Sequence, residues 1–510
     1  MPTRVRNGAA LVGTVFALAL GLTALAQPAE SGASPSVRSD ASGPTLPLND
    51  LEAMLALSPS ELAREKTPVR LTTPALSAVP AAHCDSASHP LAGVQGRVTQ
   101  ADIDSPQAAA GWTCNTTEVA HLATPGGFRV WRYTDSAGHT CAYYDTSFTA
   151  PLNIVSLLGG PSLGVAVVDM SDPAHPSLVT LLSSLAMLSP HESLNLSSAR
   201  GLLAAEVGNG LTLPGTMDIY DVHADCRHPV LESETPVASG HESGFSPDGK
   251  TFYTAGGAGY IYAFDVTNPQ HPTQLWQGAY YSHGLNVSAD GNVLYQTDPI
   301  NGNLGLLDVS QIQARRPDPQ VSDLSRVTWP TVSIPQNSIP FTSHGHHYLV
   351  EFEEFAFRFN PATADDAVGA ARILDVDDRA HPTLVSNVRL QVNMKAAHIA
   401  ADGDPSALPP NQMLGNAMHY CALPTQVNPQ LLACSAINSG LRLFNISDPV
   451  HPREVAYFVA PPNIDRVPGV LPGDVAMSQP AFDPLHHAIW YTDAVSGLWV
   501  VTVSPSAWPR

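Results

Sequence analysis

VAVVDMSDPAHP, Val165 to Pro176, decides the fold, because its pattern of an apolar run, an aspartate and a turn closed by His-Pro recurs along the chain. It returns as MDIYDVHADCRHP (Met217 to Pro229), IYAFDVTNPQHP (Ile261 to Pro272), ARILDVDDRAHP (Ala371 to Pro382) and LRLFNISDPVHP (Leu441 to Pro452). A sixth copy, LGLLDVS at Leu304 to Ser310, keeps the strand and loses the His-Pro. The anchors Asp169, Asp221, Asp265, Asp308, Asp375 and Asn445 lie 52, 44, 43, 67 and 70 residues apart. The short intervals suit roughly 40 to 50 residues per four-stranded propeller blade, and the long ones imply inserted loops. In the third unit the strands read HESGF, KTFYTAG, IYAFD and TQLWQG around an SPDG turn, with the β-branched and aromatic enrichment of sheets. The reading is an all-β chain.

The apolar strand ending in Asp or Asn and followed by Ser-Asp-Pro or Thr-Asn-Pro, at Asp169, Asp265 and Asn445, resembles the LVIVD repeat of bacterial and archaeal surface proteins. The resemblance extends over residues 112 to 506 and implies a β-propeller, with no particular activity attached. A blade before Asp169, containing FRVWRY and CAYYDTS, and a last one ending at LWVVTV bring the count to seven, six being the alternative. An early strand is expected to join the last blade and close the ring, removing the open sheet edge.

Composition narrows the partners. Charged residues make up 14% of the 510, and the net charge is -21 with no basic stripe. Nucleic acid and anionic lipid are therefore excluded as partners, since both need clustered Lys and Arg. Arg4 and Arg6, an apolar run from Ala9 to Leu25 and the small-residue site Ala24-Leu25-Ala26 predict a signal peptide over residues 1–26, cleaved after Ala26. An uncleaved anchor is the competing reading, the run being marginal for a span. Residues 27–80 read as a flexible Ser/Pro/Ala-rich leader, 81–111 as a segment packing on the propeller, and 112–510 as the propeller itself. The expectation is a monomer, secreted, periplasmic or at the cell surface, with no transmembrane span once mature.

Six cysteines in an exported chain predict three disulfides from Cys84, Cys114, Cys141, Cys226, Cys421 and Cys434. Cys421 and Cys434 flank a hairpin loop and are expected to pair with each other. Of the three pairings open to the other four, Cys114 with Cys141 is preferred.

The 20 histidines fall into sets. His175, His228, His271, His381 and His451 precede proline in the repeat turn and are assigned to backbone geometry. His241 and His283 each lie eight residues before the glycine of a hairpin turn, Gly249 and Gly291, and His191 shares their phase. His419 and His121 also fit it. These residues are expected to begin innermost strands, which line a propeller's channel, so their imidazoles would converge. By the same registration Asn337 and Ser478 take the ring place in their blades, while His344, His346, His347, His486 and His487 fall outside it.

Converging imidazoles suit copper, zinc or iron. The candidate ligands are His191, His241, His283, His419 and His121, with Glu192 and Glu242 beside them as acceptors that fix tautomers, the preferred role, or as ligands. A structural hydrogen-bond network through Ser193 or Ser243 is the competing assignment. The acidic run EFEEF, Glu351 to Phe355, reads as a solvated edge of an alternating strand, with cation binding as the lesser alternative. Two functions follow. One is a binding or scaffold module of the cell envelope, recognising a protein or small molecule on its loop face around the channel. The other is a metal-dependent enzyme, an oxidoreductase being one option, distantly similar to the selenium-binding protein and methanethiol oxidase group in architecture and histidine usage.

Overall fold

The computed structural model describes residues 65–509 except 147–163, 209–214, 258, 355–368, 395, 398–414, 463–474 and 495. The expected signal peptide and most of the expected leader lie outside the described residues. The rest is a ring of seven antiparallel blades, each built on four hydrogen-bonded strands. The innermost strands of blades 1 to 7 are Val130–Thr134, Asn195–Ser197, Gly244–Phe245, Leu285–Val287, Pro335–Ser343, Tyr420–Ala422 and Ala481–Asp483.

The repeat is explained by turn chemistry. Each anchor side chain accepts a hydrogen bond from the backbone N–H two residues on: Asp169 from Ser171 at 2.9 Å, Asp265 from Thr267 at 2.8 Å, Asn445 from Ser447 at 3.0 Å. This Asx turn breaks the third strand and starts the return. The His-Pro histidines complete it from the far side, with His175 Nδ1 bonded to Asp172 at 2.8 Å and His451 Nδ1 to Asp448 at 2.8 Å, all in solvent. In six blades the outer pair carries a register shift at the same place, as between Val167 and Val168 or Ala263 and Phe264. Such bulges increase strand twist, which a radial sheet requires.

The cores lie between blades. Tyr143, Val165 and Val167 of blade 1 pack on Leu194, Leu203 and Ala205 of blade 2. Val130 and Ala142 of blade 1 meet Trp490 and Val500 of blade 7 across the closure. Closure is made as expected by an early strand: Thr116–Leu122 is the outermost strand of blade 7 and pairs antiparallel with Gly497–Val503. The segment before it runs along the rim. Val69–Arg70 adds a parallel strand to blade 4, Val79 N–H bonds to Arg389 O at blade 5, and Trp112–Cys114 adds a strand to blade 6.

The disulfides are Cys84–Cys114, Cys141–Cys226 and Cys421–Cys434. The preferred Cys114–Cys141 pairing is therefore wrong. Cys114 lies on the strand added to blade 6, whereas Cys141 opens the second strand of blade 1 and faces a turn of blade 2. Cys421 and Cys434 are directly opposed across a hairpin, as expected.

Loop length ranks these bridges. The chain-entropy relation assigns about 4.5 kcal/mol to a closed loop of 85 residues and about 3 kcal/mol to one of 13. Urea unfolding of Cys141→Ala/Cys226→Ala should accordingly show a larger loss than Cys421→Ala/Cys434→Ala, and the reverse order would refute an entropic origin.

Candidate functional site

At one end of the ring the residues entering the innermost strands project into the axis. Blade 2 supplies His191 and Glu192, blade 3 His241 and Glu242, blade 4 His283, and blade 6 His419. His241 N–H bonds to Ala255 O and His283 N–H to Thr297 O, both at 2.9 Å, so each ring starts from backbone fixed by its own second strand. Glu242 N–H bonds to His283 O at 3.1 Å and ties blade 3 to blade 4 beside the axis. Gly284 is required here, since a Cβ would stand 2.4 Å from both Gln336 O and a Glu242 carboxylate oxygen.

The four imidazoles converge. His191 and His241 have ring centroids 4.8 Å apart, and those of His241 and His283 are 4.2 Å apart. Phe128, from the entry to blade 1, stands edge-on to His191 at 4.1 Å and to His419 at 5.8 Å, completing the circle. Glu192 is fully buried at its centre, with one carboxylate oxygen 2.9 Å from His241 Nε2 and the other 3.1 Å from His419 Nε2. His283 Nε2 lies 3.1 Å from His241 Nε2 and 2.9 Å from Glu354.

Tautomers give this contact set its meaning. His419 Nδ1 faces Met477 O at 2.7 Å and His241 Nδ1 faces Gly208 O at 3.3 Å. A ring nitrogen facing a carbonyl oxygen carries the proton, so in the neutral imidazoles both Nε2 atoms present lone pairs to the Glu192 oxygens. Acceptors then face acceptors, and both Glu192 oxygens and His419 Nε2 are buried with no hydrogen-bond partner among the described residues. Only a positive charge between them, a proton or a metal cation, relieves this.

Protonation follows the same geometry. Burial opposes a charge on His241, but Glu192 beside it, with Glu354 and Glu242, carries its basicity up to about 9. His419 is raised as well, its burial outweighed by Glu192 and Glu354. Burial would raise Glu192, yet the facing imidazoles hold its carboxyl well below the ordinary 4.5. His191 goes the other way, to about 3, because burial and the neighbouring imidazoles both disfavour its charge. It has φ of 49° and no hydrogen bond to either ring nitrogen among the described residues. Such strain at a non-glycine position is typical of a functional site.

Beneath the imidazoles lies a second buried layer. The Arg129 guanidinium stands 3.4 Å from Glu242 and bonds to Glu192 O and Gln479. Asn337 donates to the same Glu242 oxygen that faces Arg129. Burial pushes Glu242 up to about 8 against the pull of Arg129.

The remaining expected residues are placed as follows. His121 is not in the circle: it lies on the closing outer strand, stacked on Trp499 at 3.9 Å with Nε2 on Ser496 O. Its apparent phase failed because the strand carrying it comes before the first blade and belongs to the rim of the last. His344 sits in a hairpin turn, while His346 and His347 bond to Asp377 at the surface. The EFEEF run is not a solvated edge. Glu351 and Glu353 are buried against Arg372, and Glu354 reaches His283. Sequence reasoning reached Glu354 only as one acid of the EFEEF run, set aside as a strand edge, and missed Arg129. An available signal was that second strands also end in Asp145, Glu206, Asp298 and Asp493, which brings an acid toward this end in blade after blade. A further group, Asp135, His139 and Asp225, is occupied by turn hydrogen bonds, since Asp135 accepts from the N–H groups of Ala137, His139 and Cys226.

Among known proteins, the family model described as LVIVD repeat matches residues 163–182. No curated protein matches the chain. Among solved structures, the β-propeller domain of Myceliophteria thermophila Cps50 (Swd1) is similar at 11% identity and TM-score 0.47, covering 76% of this chain and 98% of that one. Hydrazine synthase of Kuenenia stuttgartiensis is similar at 12% identity and TM-score 0.45, covering 76% of this chain and 97% of that one.

A pH dependence follows from His241. A group that holds its proton more tightly folded than unfolded stabilises the fold below its unfolded value, and that stability is lost as pH climbs through the folded one. For His241 the window runs from 6.5 to about 9. The melting temperature of chelator-treated protein should fall between pH 6.5 and 9.5, and His241→Gln should flatten the slope. Identical slopes for both proteins would rule the imidazole out as the cause.

Proposed function

We propose that this LVIVD-repeat β-propeller is an exported binding module that holds one divalent transition-metal cation at its axis and recognises a ligand on the surrounding loop face. His241, His283, His419, Glu192 and Glu354 would hold the cation. The observation that carries the reading is the buried convergence of two imidazole Nε2 atoms on the two carboxylate oxygens of Glu192 at 2.9 and 3.1 Å. A cation there takes the place of the protons that otherwise have to stand in those contacts. Imidazole and carboxylate without sulfur suit zinc, copper(II) or iron(II). Backbone carbonyls on His241 and His419 fix the ring orientation, the role outer partners usually have around a metal. His121 has no part in this site, and Glu242 serves through Arg129 and Asn337 rather than as a ligand.

Export is supported by the N-terminal basic and apolar pattern together with three disulfides, which persist in oxidising compartments. Among the described residues no helix is long and apolar enough to cross a membrane.

Elemental analysis of protein from an oxidising compartment tests the reading. One equivalent of a first-row metal is expected, absent from His241→Ala/His283→Ala. In the parent protein, free metal at 100 times its Kd should stabilise the fold by about 2.7 kcal/mol. Failure of chelated protein to take up zinc, copper or iron on reconstitution would overturn the proposal.

A further inference from the structure

Glu65 is the first described residue, and its side chain turns inward against blade 4, 10% exposed. The residues after it lie along the outer edge of that blade. Lys66 N–H donates to Asp323 at 2.7 Å and Lys66 Nζ to Leu324 O at 2.7 Å. Val69 and Arg70 pair in parallel with Val327 and Thr328, and Leu71 N–H donates to Thr328 O at 2.8 Å. Among residues 65–71 only Leu71 is buried, so this attachment rests on a few hydrogen bonds and little apolar contact. A single costly group can decide whether such a segment stays down.

Glu65 is that group. The nearest cation is the buried Arg326 guanidinium, 3.5 Å from the Glu65 carboxylate, but Arg326 is already engaged. Asp323 accepts from its Nε at 3.2 Å and Nη2 at 3.4 Å, while Gln296 and Asn303 accept from Nη1 at 3.1 and 2.8 Å. Asp298, buried on the same blade, faces Glu65 too and is satisfied by the N–H groups of Ile300 and Asn301 and the amides of Asn301 and Asn303. Tyr281 is the other titratable side chain facing Glu65, and Lys66 commits its ammonium to Leu324 O. Three carboxylates therefore share one guanidinium. Two of them have their donors, whereas Glu65 Oε1 is buried with no hydrogen-bond partner among the described residues. Burial pushes the Glu65 carboxyl up to about 7 against the pull of Arg326, and Asp298 and Asp323 add to the push.

We infer that Glu65 to Leu71 is a pH-sensitive strap, seated on blade 4 while the Glu65 carboxyl is neutral and released when it ionises. Release bares the outer edge of Ser322–Thr328, whose backbone groups are then open to pairing with another strand. Linkage fixes the direction. The seated strap holds the proton more tightly than the free one, so seating is strongest below pH 4.5, weakens about tenfold per pH unit up to about 7, and levels off beyond. Hydrogen exchange of the full chain between pH 5 and 8, corrected for the intrinsic rate, reads this at the Lys66 and Leu71 amides. The Val79 amide, bonded to Arg389 O on blade 5, is the reference. Protection at Lys66 and Leu71 should fall roughly a hundredfold across that range while Val79 holds, and Glu65→Gln, neutral throughout, should keep its protection level. Constant protection in the parent, an equal fall in Glu65→Gln, or a Val79 amide that loosens in step would each overturn the inference.

Discussion

No blade of this ring can bury its own faces. Each sheet is apolar on both sides, and the two sides are covered by the sheets before and after it, as Leu203 and Ala205 of blade 2 cover blade 1 while Leu202 and Ala204 turn to blade 3. Stability is therefore shared among neighbours, as in other stacked repeats, and the circle has to close for any interface to be complete. The axial chemistry depends on the same requirement. His191, His241, His283 and His419 belong to four sheets and are separated by up to 228 residues of sequence, yet closure brings them around one carboxylate.

Placing a buried carboxylate among imidazoles is costly unless charge is compensated, because desolvation of an ion in a dry interior exceeds what an isolated hydrogen bond returns. The molecule concentrates such groups at one end of its axis: Glu192 and Glu242 are fully buried within a few ångströms of each other, and Glu206 stands beside the His241 backbone. Arg129 answers Glu242, and Arg372 answers Glu351 and Glu353 in the neighbouring blade wall. Glu192 is matched among the described residues by imidazoles and by no arginine or lysine. That difference separates the axial group from the structural ion pairs around it.

Much of the fold was legible because it is written locally. The Asp-to-N–H turn and the His-Pro return are decided within a dozen residues, so Asp169, Asp265 and Asn445 could be read without coordinates, and seven blades with an early closing strand followed from counting them. The ring histidines of blades 3 and 4 were legible through their fixed distance from a hairpin glycine, and those of blades 2 and 6 through the same place in the repeat. What failed were relations between blades. His121 shares the phase but sits on a strand that joins a sheet made almost 400 residues later, which no local pattern records. Cys141 pairs across an interface rather than along the chain, and Glu354 looked like one acid in a solvated run because alternation predicts faces of a sheet and says nothing about what lies beyond its end.

The closing strand has a consequence for biogenesis. Thr116–Leu122 is made early, but its partner Gly497–Val503 is the last strand among the described residues, a separation of 385 residues at the Thr502 to Thr117 contact. Contacts so remote form slowly, since a large loop must be closed before any pairing is gained. A polypeptide arranged this way cannot finish its circle before Gly497–Val503 has been synthesised, and until then its first and seventh blades lack their shared interface.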